Sequence, residues 1–136
     1  MPDIEIARLV DGFMRRIHAS LHAKAATFDR HCVGPGGGIL LLTLAEIEPA
    51  PIQDLVRRMS RDKSQMTRAI QSLERKGLIE RRDLPEDARV SLLALTPMGQ
   101  EAVDMLQKAV AGVLADILSP LSNGEQETLK DLLRRI

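Results

Sequence analysis

Apolar positions recur at helical spacing along most of this chain, and the rhythm is broken by one pair of short strand-like runs. Ile6, Leu9, Val10, Phe13, Met14, Ile17 and Leu21 fall on one stripe, which predicts a long helix from Asp3 to about Arg30. The stretch from His31 to Gly38, HCVGPGGG, interrupts it, and its glycines and proline speak against a long regular element. Ile39 to Glu48 predicts a short buried helix, Pro49-Ala50-Pro51 a break, and Ile52 to Met59 another helix with Leu55, Val56 and Met59 toward the core. After a Ser60-Arg61 turn, Met66, Ala69, Ile70 and Leu73 stand at i, i+3, i+4 and i+7. Asp62 is placed to cap that helix, Gln65 to complete a capping box, and Gly77 to end it in a left-handed conformation.

Leu78 to Arg82 and Arg89 to Leu95 then read as two strands, with Val90, Leu92 and Leu93 available for burial. The residues between them, Asp83-Leu84-Pro85-Glu86-Asp87-Ala88, have turn chemistry. Thr96 caps a second long helix that starts at Pro97 and runs to about Leu118 on the stripe Val103, Leu106, Val110, Val113, Leu114 and Ile117. Ser119-Pro120 ends it. Ser122 and Glu125 form a capping box for a last helix, where Leu129, Leu132, Leu133 and Ile136 line one face.

Two helices joined by a tight turn, followed by a hairpin, is the order of a winged helix-turn-helix. The solvent face of the second helix sharpens that reading. A solvated helix usually carries Glu and Lys pairs; this one offers Ser64, Gln65, Thr67, Arg68, Gln71 and Arg75. Those are side chains that reach base edges and phosphates in a major groove. An ordinary amphipathic surface helix fits the face equally well, and the hairpin tilts the balance. Arg89 sits close to the hairpin tip, with Asp87 two residues before it and able to hold its guanidinium through a bidentate pair.

The run DKSQMTRAIQSLERKGLIERR, and the Asp-Ala-Arg to Leu-Leu-Ala-Leu-Thr-Pro-Met-Gly run from Asp87 to Gly99, resemble the MarR (multiple-antibiotic-resistance regulator) family. The second run is similar to the family's wing signature: an acidic residue, one residue, an arginine, a strand, Leu-Thr, and a glycine opening the next helix. The likeness is close in the centre of the chain and extends to the flanks only in helix order and length. The glycine-rich stretch departs from the family, which usually has a more ordinary helix start there. The resemblance implies a mainly α fold with a small β-hairpin wing, its core flanked by N- and C-terminal dimerisation helices. The expected division is 1–35 for an N-terminal helix and loop in dimerisation, 36–96 for the DNA-binding domain, and 97–136 for C-terminal dimerisation helices.

Length and composition agree with this and remove alternatives. At 136 residues the chain can bury the core of one domain or of a compact two-lobed unit. No apolar run approaches a membrane span, Ile39 to Leu44 being far too short, and Asp3 and Glu5 replace the basic start of a signal peptide. One cysteine makes no intrachain disulfide, so a cytoplasmic location is expected. Net charge is zero, which argues against nucleic acid until its distribution is read. Residues 57–89 hold ten Arg and Lys against six Asp and Glu, a local excess of four, and the flanks carry the opposite excess. A basic middle is the footprint of localised phosphate binding. The two aromatics, Phe13 and Phe28, lie outside it and Trp and Tyr are absent, so there is no platform for stacking single-stranded bases. Duplex DNA is the better target.

Other chemistry is weaker. No Gly-Lys-Ser/Thr follows the glycines, which rules out a phosphate-binding loop of that type. No nucleophile with a base and no clustered carboxylates suggest an enzyme, and no cofactor is expected. Cys32, beside His31 and near Arg30, is a redox-sensor candidate, but a small residue filling a helix junction is the commoner case. His18 and His22 lie at the i, i+4 spacing of a metal clamp and are more often plain surface histidines.

The expected function is a sequence-specific, double-stranded-DNA-binding transcription regulator. It is a homodimer on a pseudo-palindromic operator, a repressor released by a small effector, which the resemblance implies is often aromatic. Arg61, Lys63, Ser64, Gln65, Thr67, Arg68 and Gln71 are expected at the major groove and its phosphates. Arg89, oriented by Asp87, is expected in the adjacent minor groove. The alternatives are a winged-helix protein-interaction module without specific DNA binding, or a redox- or metal-responsive variant of the same regulator using Cys32 or His18 and His22.

Overall fold

The computed structural model describes residues 1–84 and 86–136; Pro85, central to the expected turn, lies outside them. The elements in order are α1 (Ile4–Phe28), α2 (Gly34–Ile47), α3 (Ile52–Met59), α4 (Lys63–Arg75), β1 (Ile79–Leu84), β2 (Asp87–Leu95), α5 (Pro97–Ile117) and α6 (Asn123–Arg134). They fall into two compact units, residues 27–107, and residues 1–26 with 108–136.

The unit spanning 27–107 has one hydrophobic core. Leu40, Leu41 and Leu44 of α2 meet Leu55 of α3, Met66, Ile70 and Leu73 of α4, and Leu93 and Leu95 of β2, all buried. Leu78, Ile79 and Val103 complete it. The antiparallel pair β1–β2 runs in register from Ile79 opposite Leu95 to Asp83 opposite Ser91, with an irregularity at Leu84. The hairpin is therefore longer than its residue types suggest. Asp83, Leu84, Asp87 and Ala88 are in strands rather than in a turn, because ladder hydrogen bonds override weak turn preference. Ala50 adds a short third rung, exchanging backbone hydrogen bonds with Leu93 at 3.0 and 2.7 Å. The Glu48 carboxylate accepts from the Leu95 amide at 3.1 Å, so the segment after α2 is tied to the wing twice.

The glycine-rich stretch is helix, against the expectation of a break up to Gly38. The chain leaves α1 at Phe28, and both Asp29 carboxylate oxygens accept backbone amides, from Val33 at 2.9 Å and Gly34 at 3.0 Å. This satisfies two amides at the start of α2 that have no helical partner, and Pro35 falls in the first turn where its missing N–H costs nothing. Cys32 sits in the bend at φ 54° with an exposed side chain, so its thiol fills no helix junction.

Helix α4 ends in a Schellman motif. Gly77 takes φ 77°, its amide donates to Glu74 O at 2.9 Å, and the Leu78 amide donates to Leu73 O at 3.0 Å. Thr96 then joins three elements. Its hydroxyl donates to Gly77 O at 2.6 Å and accepts the Gly99 amide at 3.0 Å, while its own amide donates to Leu78 O at 3.1 Å. Gly99 presses on the same carbonyl: a Cβ there would lie 2.0 Å from Leu78 O.

The unit of residues 1–26 and 108–136 is less well covered. Val113 is buried, but α1 and α6 contain no buried residue. Phe13, Ile17 and Leu21 are half-buried, whereas Ile6, Leu9 and Met14 of the same stripe are exposed, as are Leu132 and Leu133 of α6. Lys24 and Asp116 approach to 3.6 Å. The capping box expected for α6 is complete: the Ser122 hydroxyl accepts the Glu125 amide at 3.1 Å and the Glu125 carboxylate accepts the Ser122 amide at 2.8 Å.

Two outcomes are expected. Gly99→Ala forces the α5 backbone off Leu78 and should lower stability by about 1–3 kcal/mol, read by thermal unfolding; an unchanged Tm contradicts the close approach. The hydrogen bonds from the Ser122 amide and then its hydroxyl hold the Glu125 carboxyl below its ordinary range. A depressed carboxylate contributes stability above its unfolded pKa and loses it as pH falls through the folded value. The protection factor of the Ser122 amide, its exchange rate corrected for the intrinsic pH dependence, should therefore fall on acidification through that range, and Glu125→Ala should abolish the dependence.

Candidate nucleic-acid interface

Helix α4 presents the expected face because its other face is fully committed. Met66, Ile70 and Leu73 are buried, which turns Lys63, Ser64, Gln65, Arg68, Gln71 and Arg75 outward, all exposed. Asp62 caps the helix, its Oδ1 accepting the Gln65 amide at 2.8 Å. The return bond of the expected capping box is missing: the Gln65 side chain is not on the Asp62 amide, unlike that of Glu125 at α6. That leaves the Gln65 amide group at the first turn, where helix-turn-helix proteins touch base edges. Thr67 is half-buried and its hydroxyl donates to Lys63 O at 2.8 Å. It has lone pairs and a methyl group to offer, but not its proton.

The wing arginines are held by acids. Arg81 meets the Glu74 carboxylate through Nε, at 3.0 and 3.1 Å to its two oxygens, with its Nη2 also 3.0 Å from Oε1. This pair spans from α4 to β1. Arg82 pairs with Glu80 at 2.8 Å. At the tip, Asp87 and Arg89 do pair, but the bidentate fork expected between them does not form. A single oxygen, Oδ1, accepts both the Arg89 amide at 3.0 Å and Arg89 Nε at 3.2 Å. The contact is an Asx-type turn that fixes the backbone and the root of the guanidinium, while its Nη groups face solvent; the side chain is 91% exposed.

The helix-turn-helix cations behave differently. Arg57 pairs with Asp54 on α3. Among the described residues, Arg58, Arg61, Lys63, Arg68 and Arg75 have no carboxylate within 4 Å. Lys76 donates to the Cys32 carbonyl at 2.9 Å. Unpaired positive charge is thus concentrated on the end of α3, the turn and α4, and the acids that cancel it in the sequence total are spent on the wing and the flanks. Arg58 and Arg75 extend the expected set. Arg75 is visible in the sequence as part of the polar face of α4 and Arg58 as one of the ten cations of residues 57–89; the Glu74–Arg81 pair has no local sequence signal.

Among the described residues no three His, Cys, Asp or Glu side chains come together to hold a metal. Replacing Asp62 with Ala should remove the cap of α4 and lower stability by about 1 kcal/mol, measured by denaturant titration; no change would mean that the Gln65 amide finds water at no cost.

Residues 39–91 match the model of the MarR family. The HTH-type transcriptional regulator YdgJ of Bacillus subtilis is 32% identical over 97 residues, which are 71% of this chain and 59% of that protein. A second Bacillus subtilis HTH-type regulator, YxaD, is 33% identical over 98 residues, 72% of this chain and 68% of its own. The match to YdgJ thus spans about three-fifths of that relative's length. Among solved structures, the PcaV transcriptional regulator of Streptomyces coelicolor, determined with its natural ligand, is 26% identical with a TM-score of 0.63. That likeness covers 99% of this chain and 96% of PcaV.

Proposed function

The chain belongs to the MarR family, and from that premise we propose that it regulates transcription by binding a pseudo-palindromic operator in double-stranded DNA as a homodimer. The observation that carries the reading is the unpaired positive face of the helix-turn-helix, built on a helix that also exposes Ser64, Gln65 and Gln71. Two recognition helices enter successive major grooves about one helical turn apart. Gln65 and Arg68 meet base edges; Arg58, Arg61, Lys63 and Arg75 meet phosphates on either side. Arg89, rooted by Asp87, enters the neighbouring minor groove, where narrow A·T-rich segments attract arginine. Thr67 contributes its methyl group or accepts a hydrogen bond.

Dimerisation is supported by the apolar surface of the unit made by the chain ends. Ile6, Leu9, Met14, Leu132 and Leu133 are too many large side chains to leave in water. Residues 1–35 and 97–136 supply the dimerisation elements in this reading and 36–96 the DNA-binding domain. The regulator acts as a repressor released when a small ligand binds; the ligand-bound PcaV supports including such an effector. No helix is long and apolar enough to cross a membrane, which fits a protein working on DNA in the cytoplasm.

Substitution separates the roles. Arg68→Ala should cost about 1–3 kcal/mol and relax sequence preference at one base position. Arg89→Ala should weaken binding to all sequences and flatten the salt slope by about 0.9 for each phosphate left without its cation. If both variants bind duplex DNA as the parent does, a winged-helix protein-interaction module is the better account.

A further inference from the structure

Helix α2 opens with a run of glycines that the proposed function does not use. Glycine in a helix is unfavourable relative to alanine, so each needs a reason in packing. A Cβ on Gly37 would come within 3.0 Å of Val33 Cβ, and one on Gly38 within 3.0 Å of Leu106 Cδ2; both make room for core side chains. Gly36 is different. The three atoms nearest to a Cβ there all belong to Arg61, at 3.3 Å for Nη2, 3.5 Å for Nη1 and 3.8 Å for Cζ. The glycine makes room for a guanidinium, and the guanidinium belongs to the turn that leads into α4.

Among the described residues Arg61 makes no ion pair, and the first turn of a helix carries partial positive charge of its own. The residue is half-buried, and none of its five N–H donors has a hydrogen-bond partner among the described residues. Its Nη edge faces the bare Cα of Gly36, with both Nη atoms nearer than Cζ to where a Cβ would stand.

We propose that Gly36 is a positioning residue for DNA binding: its bare Cα seats the Arg61 guanidinium beside the recognition helix, with its donors left for a backbone phosphate. The inference rests on the DNA-binding reading above. A long flexible side chain ordered before the complex forms loses less entropy on binding, and a phosphate at the edge of the groove entered by α4 is the anion within its reach. Any side chain at position 36 displaces the guanidinium, the larger the side chain the further.

The test uses a duplex that the wild-type protein selects from a random pool, with affinity measured at several salt concentrations and folding checked by thermal unfolding. Gly36→Ala should leave Tm unchanged or raise it, yet weaken binding about threefold. Gly36→Gln should weaken it about tenfold and flatten the salt slope by about 0.9, the value for one neutralised phosphate. Arg61→Ala should show the same loss, and adding Gly36→Gln to it should cost nothing more. A folded Gly36→Gln protein with wild-type affinity and slope overturns the proposal. So does an undiminished loss from Gly36→Gln in the Arg61→Ala background, which would make the effect structural. Wild-type protein that selects no duplex and shows no salt-sensitive binding overturns the DNA-binding reading itself, and the proposal with it.

Discussion

The carbonyl of Leu78 is the point on which the unit of residues 27–107 depends. It lies where α4 ends, the wing begins and α5 starts. Thr96 donates to it, Gly99 packs on it with no room for a Cβ, and the Thr96 hydroxyl closes the ring through Gly77. Each contact is ordinary in strength, about 1 kcal/mol net. Together they remove the freedom of three elements to move separately. The Glu74–Arg81 pair crosses the same junction on the outside and fixes the wing to the helix again. A reader of duplex DNA needs that rigidity, because a helix in one groove and a wing in the next must keep their spacing to within an ångström or so.

Charge is distributed on the same plan. Acids are placed beside the wing arginines, where they orient side chains, and are absent from the cations of the turn and α4. Surface ion pairs of this kind contribute little to stability. Their effect is on geometry and on the field, since they cancel positive charge at the wing and leave it at the helix. The zero net charge of the chain therefore hides a local excess of positive charge.

What is legible in the sequence is mostly local. The stripe Met66, Ile70 and Leu73, the Asp62 cap, the Gly77 stop and the Ser122–Glu125 box all depend on residues within one or two turns, and all are present, apart from the return half of the box at Gln65. What is not legible depends on distance. HCVGPGGG reads as a loop until Asp29 is seen to cap it and Arg61 and Leu106 to pack against it. The hairpin is longer than its turn chemistry suggests because pairing with Ser91 and Asp87 carries Asp83 and Leu84 into the ladder. The Ala50–Leu93 rung and the Glu74–Arg81 pair join residues that no spacing rule connects. The polar face of α4 is legible as a surface. The free charges that make it a candidate interface become visible only once every nearby acid has been assigned a partner.

The most direct measurement is the affinity of the unmodified protein for a selected duplex and for random duplex across a range of salt concentrations. A dimeric operator-binding regulator should saturate at one dimer per site, with a steep fall in affinity as salt rises and a preference for the selected duplex of about a thousandfold or more. Weak binding that is equal for every sequence, or binding indifferent to salt, would contradict that reading.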